Sequence, residues 1–242
     1  MDPKSFYNET MPQKFGANYE HARWRASPLL AAQYAMTKAT VERFVSPLLS
    51  RARHIVEVGP GPGTWTKLML ESNAEASYVL VDISHEMLAQ ARAILAGCAN
   101  VTYIESDLMS YLPAASFDLF FSSRAIEYMP EKAKVCEKIF SLLCPGGYGI
   151  IITKMPKPFF NRLRGHSIAA LHTGQIEPYA LVKLLREHGL IVEKVSIATA
   201  TVPGFHSSLL NRVAFTLLKH FSLRSPFNIF SESYLILFKK PL

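Results

Sequence analysis

Cysteine is scarce in this sequence, with three in 242 residues: Cys98, Cys136 and Cys144. The number is odd, and no CxxC pair or metal-ligand spacing occurs. That argues against a disulfide framework or a metal site and leaves buried reduced thiols. Charged residues are also few, at 19%, while hydrophobic residues make up 49%. Such a chain buries enough apolar surface to fold, so disorder over most of its length is excluded. No uncharged run is long enough to span a bilayer. The first eighteen residues are polar and mixed, without the apolar core of a signal peptide. Internal repeats and low-complexity tracts are missing too. Together these absences set the expectation of one well-packed domain in the cytoplasm.

Acidic residues run short in the last third. Residues 1–153 hold 14 Lys/Arg and 15 Asp/Glu, whereas residues 154–242 hold 12 Lys/Arg, 4 Asp/Glu and five of the eight histidines. Either this is a solvated basic surface, or that part of the chain faces an anionic partner. A phosphorylated or carboxylated substrate, an anionic membrane surface and nucleic acid are the choices.

From about residue 50, short apolar runs alternate with helical patterns, which predicts an α/β fold with a parallel sheet and helices on both faces. Strands are expected at His54–Val58, Tyr78–Val81, Val101–Glu105, Phe117–Ser122, Tyr148–Thr153, Val192–Thr199 and Tyr234–Phe238. Helices are expected at Thr64–Ser72, from His85 to Ala96 behind the N-cap Ser84, from Pro130 onward, from Pro178 to a stop at Gly189, and over Ser207–Phe221. Residues 1–50 hold one long helix, Ala31–Leu49, behind a polar aromatic stretch, and read as an N-terminal helical cover. Residues 51–242 form the main domain. Residues 154–176, rich in proline, glycine and basic groups, read as an inserted lid, with a second lid segment at about 203–230.

Glycines 59, 61 and 63 follow the first strand and precede a helix. Without a Cβ they allow a tight turn and close approach of a ligand to the main chain, and the helix start adds free N–H groups. A dinucleotide fingerprint, G-x-G-x-x-G, would need a third glycine where Thr64 stands. The spacing here is G-x-G-x-G, with Glu57 two residues ahead. Asp82 ends the second strand, 21 residues after Gly61, and is followed by Ile83-Ser84-His85-Glu86-Met87-Leu88. Ser106-Asp107-Leu108 follows the third strand, Ser122-Ser123-Arg124-Ala125-Ile126-Glu127-Tyr128 the fourth, and Pro145-Gly146-Gly147 precedes the fifth.

This series resembles the cofactor motifs of the class I, Rossmann-like S-adenosylmethionine-dependent methyltransferases of the small-molecule type. By motif the resemblance covers about residues 52–155, and the late strands extend it. It implies a doubly wound, mostly parallel seven-stranded sheet of order 3-2-1-4-5-7-6 with strand 7 antiparallel. It also implies S-adenosyl-L-methionine as cofactor, with S-adenosyl-L-homocysteine as product. Gly59, Gly61 and Gly63 then lie under the amino-acid end of the cofactor, and Glu57 favours its positive groups. Asp82 accepts the ribose hydroxyls, and Ile83 and Met87 pack against adenine. Asp107 takes the adenine amino group, the Leu108 N–H reaches a ring nitrogen, and backbone at Ser123 contacts the methionine end. Tyr19 and Arg23, in an aromatic and basic N-terminal stretch, are candidates for the methionine carboxylate.

Methyl transfer from a sulfonium is an in-line displacement, so the protein mainly positions an acceptor and removes a proton where one must go. Glu127, His166 and His172 are the candidate bases, each with an equally good structural reading as a cap, pair or surface residue. No acidic cluster for a catechol-type metal follows the fourth strand, and the N-P-P-Y signature of amino-methylating relatives is absent. The expectation is therefore O- or C-methylation of a small apolar or anionic metabolite. The alternatives are an RNA or protein methyltransferase, for which no RNA-binding module is present, and a non-catalytic S-adenosylmethionine-binding protein. Ser207–Phe230 is apolar and basic at once; it packs on the sheet or meets anionic lipid.

Overall fold

The computed structural model describes residues 2–16, 19–156, 172–202, 207–220, 223 and 229–242. Seven strands form one sheet in the order β3-β2-β1-β4-β5-β7-β6. They are β1 His54–Val58, β2 Ser77–Asp82, β3 Val101–Glu105, β4 Phe117–Ser123, β5 Leu143–Lys154, β6 Ile191–Ala200 and β7 Ser231–Lys239. Strands β1 to β5 are parallel, and β7 runs antiparallel between β5 and β6. This is the topology that the motif resemblance implies.

The strands read as nearly continuous apolar runs because both faces are covered. On one face Val56, Val58, Phe120, Ile151 and Ile236 pack together; on the other, Ile55, Leu80, Leu119, Phe121, Ile150 and Leu235 do. Among the described residues, seven helices of six or more residues surround the sheet: α1 Tyr19–Trp24, α2 Pro28–Phe44, α3 Thr64–Ser72, α4 His85–Ile94, α5 Lys132–Leu142, α6 Pro178–Glu187 and α7 Ser208–Leu218. Ser27, Ser84 and Ser207 each cap the helix that follows by accepting a backbone N–H. Because β1 to β5 are parallel, their C-terminal ends, with the glycine loop and the acids after them, open onto one side of the sheet. Open α/β sheets bind ligands in that location.

Several expected boundaries move for identifiable reasons. The single helix Ala31–Leu49 is two, α2 and a turn at Ser46–Leu49, because Pro47 has no N–H to continue the ladder. The helix expected from Pro130 begins at Lys132, after a 3-10 turn at Ile126–Tyr128. Strand β5 starts at Leu143, ahead of Pro145-Gly146-Gly147. The turn survives as an irregularity in the β4–β5 register, with Gly146 at φ 78°. The polar stretch before α2 is helical as well: Pro3–Ser5, Phe6–Thr10 and Met11–Phe15 follow one another, with the Asp2 carboxylate capping the N–H groups of Lys4 and Ser5. Most of the first expected lid and much of the second lie outside the described residues, as does His166.

Cys98, Cys136 and Cys144 are free, and burial raises the Cys136 thiol to about 12. Among the described residues no group of metal-ligating side chains gathers, and no helix is long and apolar enough to cross a membrane.

Candidate active site

A cavity of about 870 Å³ lies at the C-terminal ends of β1, β2 and β4. Its floor is backbone. Gly59 and Gly61 adopt φ 69° and 55°, which glycine enters freely. The Gly59 N–H donates to Val81 O at 2.8 Å, tying the loop to β2. A Cβ on Gly59 would stand 2.2 Å from the Cβ of Ala125, so the loop and the segment after β4 approach as only a glycine permits. A Cβ on Gly61 would meet nothing within 4 Å.

Asp82 stands at the end of β2 on the cavity wall. One of its oxygens accepts the Gly61 N–H at 3.1 Å, the other the Ser84 N–H at 2.9 Å. Burial raises its pKa to about 6, against the lowering pull of these backbone donors. Each oxygen keeps acceptor capacity beyond its one backbone bond. Ile83, Met87, Asp107, Leu108 and Ser123 line the same cavity, as do Tyr19 and Arg23. Asp107 Oδ1 also accepts the Met109 N–H at 2.6 Å.

Glu57 and Gly63 do not line the cavity. Gly63 is the left-handed N-cap of α3 and fits against Leu95. Glu57 is buried behind the loop, where Oε2 accepts the Thr66 hydroxyl at 2.6 Å and Oε1 has no partner among the described residues. Burial raises its pKa to about 8, with the Asp82 charge adding to the rise and the Thr66 bond opposing it.

The N-terminal segment supplies the roof. The Ser84 hydroxyl donates to Asn8 Oδ1 at 2.7 Å, and the Thr64 hydroxyl donates to Glu20 at 2.7 Å. Lys4 pairs with Glu105 at 3.0 Å, and the Tyr7 and Tyr128 hydroxyls share a hydrogen bond of 2.8 Å. Trp24 anchors the segment edge-on to Trp65, with the Arg23 guanidinium 4.0 Å above its ring. Burial raises Tyr7 and Tyr19 well above the usual tyrosine range, so both stay neutral donors.

Beyond β4 the wall is made of side chains. His172 Nε2 lies 3.3 Å from the Tyr128 hydroxyl and 3.7 Å from Glu127 Oε1. Glu127 is buried; its Oε2 accepts the Lys154 N–H at 3.0 Å and the Thr153 hydroxyl at 3.3 Å. Burial, then the Lys154 charge, lowers the His172 pKa, and the imidazole is neutral at pH 7. Arg124 and Lys154 complete this side. Sequence reasoning missed Asn8, Tyr7, Arg124 and Lys154. A signal existed for Arg124, a cation directly after a fully buried strand. Tyr7 and Asn8 gave none, because their partners lie 121 and 76 residues away.

Residues 55–147 match a family model described as a methyltransferase domain. The chain is 32% identical over 123 residues to the trans-aconitate 2-methyltransferase of Azoarcus sp. (strain BH72), covering 51% of this chain and 47% of that protein. It thus spans about half the length of the curated relatives it matches. Among solved structures, the N-methyltransferase NodS of Bradyrhizobium japonicum WM9 in complex with S-adenosyl-L-homocysteine superposes with TM-score 0.60 at 12% identity, covering 91% of each chain. An S-adenosylmethionine-dependent methyltransferase from Mesorhizobium loti gives TM-score 0.59 at 20% identity, over 89% of this chain and 99% of that one. These two likenesses establish the shared fold. The strand order and the glycine loop agree with the methyltransferase domain matched over residues 55–147, and the solved structures share its fold.

Proposed function

We propose that this chain is an enzyme that moves a methyl group from S-adenosyl-L-methionine to a small-molecule acceptor, with both held in the cavity above β1, β2 and β4. The observation that carries the reading is Asp82. Its carboxylate is fixed by two backbone N–H groups, faces the cavity and retains lone pairs for a pair of ribose hydroxyls. Ile83 and Met87 offer apolar contact for adenine, and Asp107 with the Leu108 N–H offers the polar contacts that the ring needs. Gly59 and Gly61 leave their surface clear for the methionine end. Glu57 places an ionisable carboxyl behind them, where a cationic ligand favours the ionised form. Tyr19 and Arg23 are the donors for the methionine carboxylate. Residues 2–16 and 19–24 act as the cover, since five of their side chains bond or stack across the mouth.

When bound, the cofactor supplies a methyl group already activated on a sulfonium. What remains for the protein is orientation, exclusion of water and removal of a proton from a neutral acceptor. His172 is the residue best placed for that proton. It is neutral at pH 7, and Tyr128 and Glu127 orient it. Glu127 itself is occupied by Thr153 and the Lys154 backbone, which makes it a positioning residue.

The roof that the N-terminal side chains lay over the cavity supports a small molecule over RNA or protein. Calorimetry with S-adenosyl-L-homocysteine, followed by a screen for its release against small acids, phenols and RNA, tests the reading; folded protein that binds no S-adenosyl-L-homocysteine would overturn it. A second surface supports contact with anionic lipid. Helix α7 buries Asn211, Phe215 and Leu218 and exposes Leu209, Val213 and Leu217 one turn apart, flanked by Arg212 and His220. Sedimentation with phosphatidylserine vesicles, lost in Val213→Asp, is the expected result; equal sedimentation of the two proteins would rule it out.

A further inference from the structure

We propose that Arg124 and Lys154 form a subsite for the anionic head group of the methyl acceptor, a carboxylate or a phosphate. This rests on the cavity being the methyl-transfer site. Arg124 bears two local costs at once. Its Nε and Nη1 are buried and make no hydrogen bond among the described residues. A guanidinium does not shed its proton to escape such burial, so the donors stay charged and unmet, which is expensive. Its backbone is at φ 65°, the one positive φ among the described residues other than glycine. That region is strained for an arginine. The strain is held in place by the Arg124 N–H, which donates to Ile152 O at 2.8 Å on β5. Strain and unmet donors on one cavity residue are what a ligand-binding group looks like before its ligand is counted.

The surrounding charges leave room for an anion. Lys154, at the end of β5, has its pKa lowered by burial and by the nearby Arg124 and Arg23 charges, with Glu127 and Glu232 pulling the other way. Three cations therefore meet two carboxylates, with His172 neutral. Glu127 reaches Arg124 only through space, because its oxygens are engaged by Thr153, the Lys154 backbone and His172. A guanidinium presents two forks, Nε with Nη2 and Nη1 with Nη2, each of which matches a carboxylate or phosphate oxygen pair and each of which contains one of the two unmet donors.

Topology assigns the anion to the acceptor. Apart from Ser123 at the end of β4 and the roof residues Tyr19 and Arg23, the candidate cofactor residues sit at the ends of β1, β2 and β3, whereas Arg124 and Lys154 sit at the ends of β4 and β5, on the other side of β1. Arg23, on the roof, is the cation left for the methionine carboxylate.

The test is calorimetry on the full chain, with and without S-adenosyl-L-homocysteine. The probes are trans-aconitate as a carboxylate, glycerol 3-phosphate as a phosphate, and trimethyl trans-aconitate as a neutral control. At least one anion should bind the wild type, more weakly as salt rises, and the neutral ester should not. Arg124→Leu and Lys154→Met should each weaken the anion at least tenfold and leave the affinity for S-adenosyl-L-homocysteine within about threefold. Arg124→Leu should also raise the Tm of the free protein, because the unmet buried donors are gone; Arg124→Lys should not restore full anion affinity, lacking the fork. The subsite is overturned if neither anion binds wild type, or if Arg124→Leu binds it as well as wild type. It is also overturned if Arg124→Leu loses S-adenosyl-L-homocysteine more than tenfold, which would give Arg124 to the cofactor. Anion binding by a protein that ignores S-adenosyl-L-homocysteine would sustain the subsite while sinking the methyltransferase reading.

Discussion

The two sides of the cavity are built from different material. Toward β1, β2 and β3 the floor is main chain: two left-handed glycines, the Gly61 N–H on Asp82, and the Gly59 N–H on Val81 O. Toward β4 and β5 the wall is side chain: Glu127, Tyr128, His172, Arg124 and Lys154. A main-chain floor keeps its shape through most substitutions, since only glycine replacements and the acid it cradles can spoil it. A side-chain wall is redrawn by single changes. On the proposed reading, the main-chain half holds the cofactor and the side-chain half holds the methyl acceptor.

Four substitutions test that division. Asp82→Ala should have the largest effect, weakening S-adenosyl-L-homocysteine roughly 100-fold, as two hydrogen bonds to a charged acceptor at about 1.5 kcal/mol each are lost. Calorimetry reads it, and a change under threefold would remove Asp82 from the floor. Gly59→Ala should cost about 2–3 kcal/mol of stability, from the contact with Ala125 and the strained φ together. Ala125→Gly in the same chain should recover the clash but not the strain, a partial rescue visible in urea melts.

Glu57→Gln tests a pH dependence. The folded-state pKa of Glu57 is raised to about 8 from the ordinary carboxyl value of 4.5, so the folded protein holds the extra proton and stability falls as pH rises from about 4.5 to 8. Relative to wild type, the glutamine variant should lose less stability over that interval, by on the order of 4 kcal/mol. Parallel pH profiles of Tm for the two proteins would refute the burial argument. Tyr7→Phe should be the mildest. It removes one hydrogen bond of the roof, worth about 1 kcal/mol, and should raise the S-adenosyl-L-homocysteine dissociation constant a few fold without moving the anion subsite. An effect on anion binding as large as that of Arg124→Leu would show that roof and wall are one unit.

The same division governed what could be read in advance. The strands from β1 to β5 were legible because two-sided burial writes them as apolar runs, and the first three end at a glycine or an acid: Gly59 after β1, Asp82 at the end of β2, Asp107 after β3. The floor follows from such local spacing. The wall does not. Arg124 carries one sequence signal, a cation directly after a buried strand, but its meaning comes from its φ and its unmet donors; Lys154 becomes notable only through neighbours contributed by α1, β7 and the segment after β4. The roof was half legible: aromatic density marked Tyr19 to Trp24, but the bonds of Tyr7 to Tyr128 and Asn8 to Ser84 depend on how the chain doubles back. Glu57 was singled out as an acid near the loop with a role toward the cofactor's positive groups. The structure puts it behind the floor, because it lies within β1, a strand covered on both faces.

The roof has a kinetic consequence. Residues 2–16 and 19–24 are held to the rest of the protein by Lys4–Glu105, Tyr7–Tyr128, Asn8–Ser84 and Glu20–Thr64, four attachments at four different points of the rim. A ligand of cofactor size must wait for several of them to part. Association should therefore level off at high ligand concentration, at the opening rate of the segment, and stopped-flow traces would report how often the molecule opens its own door.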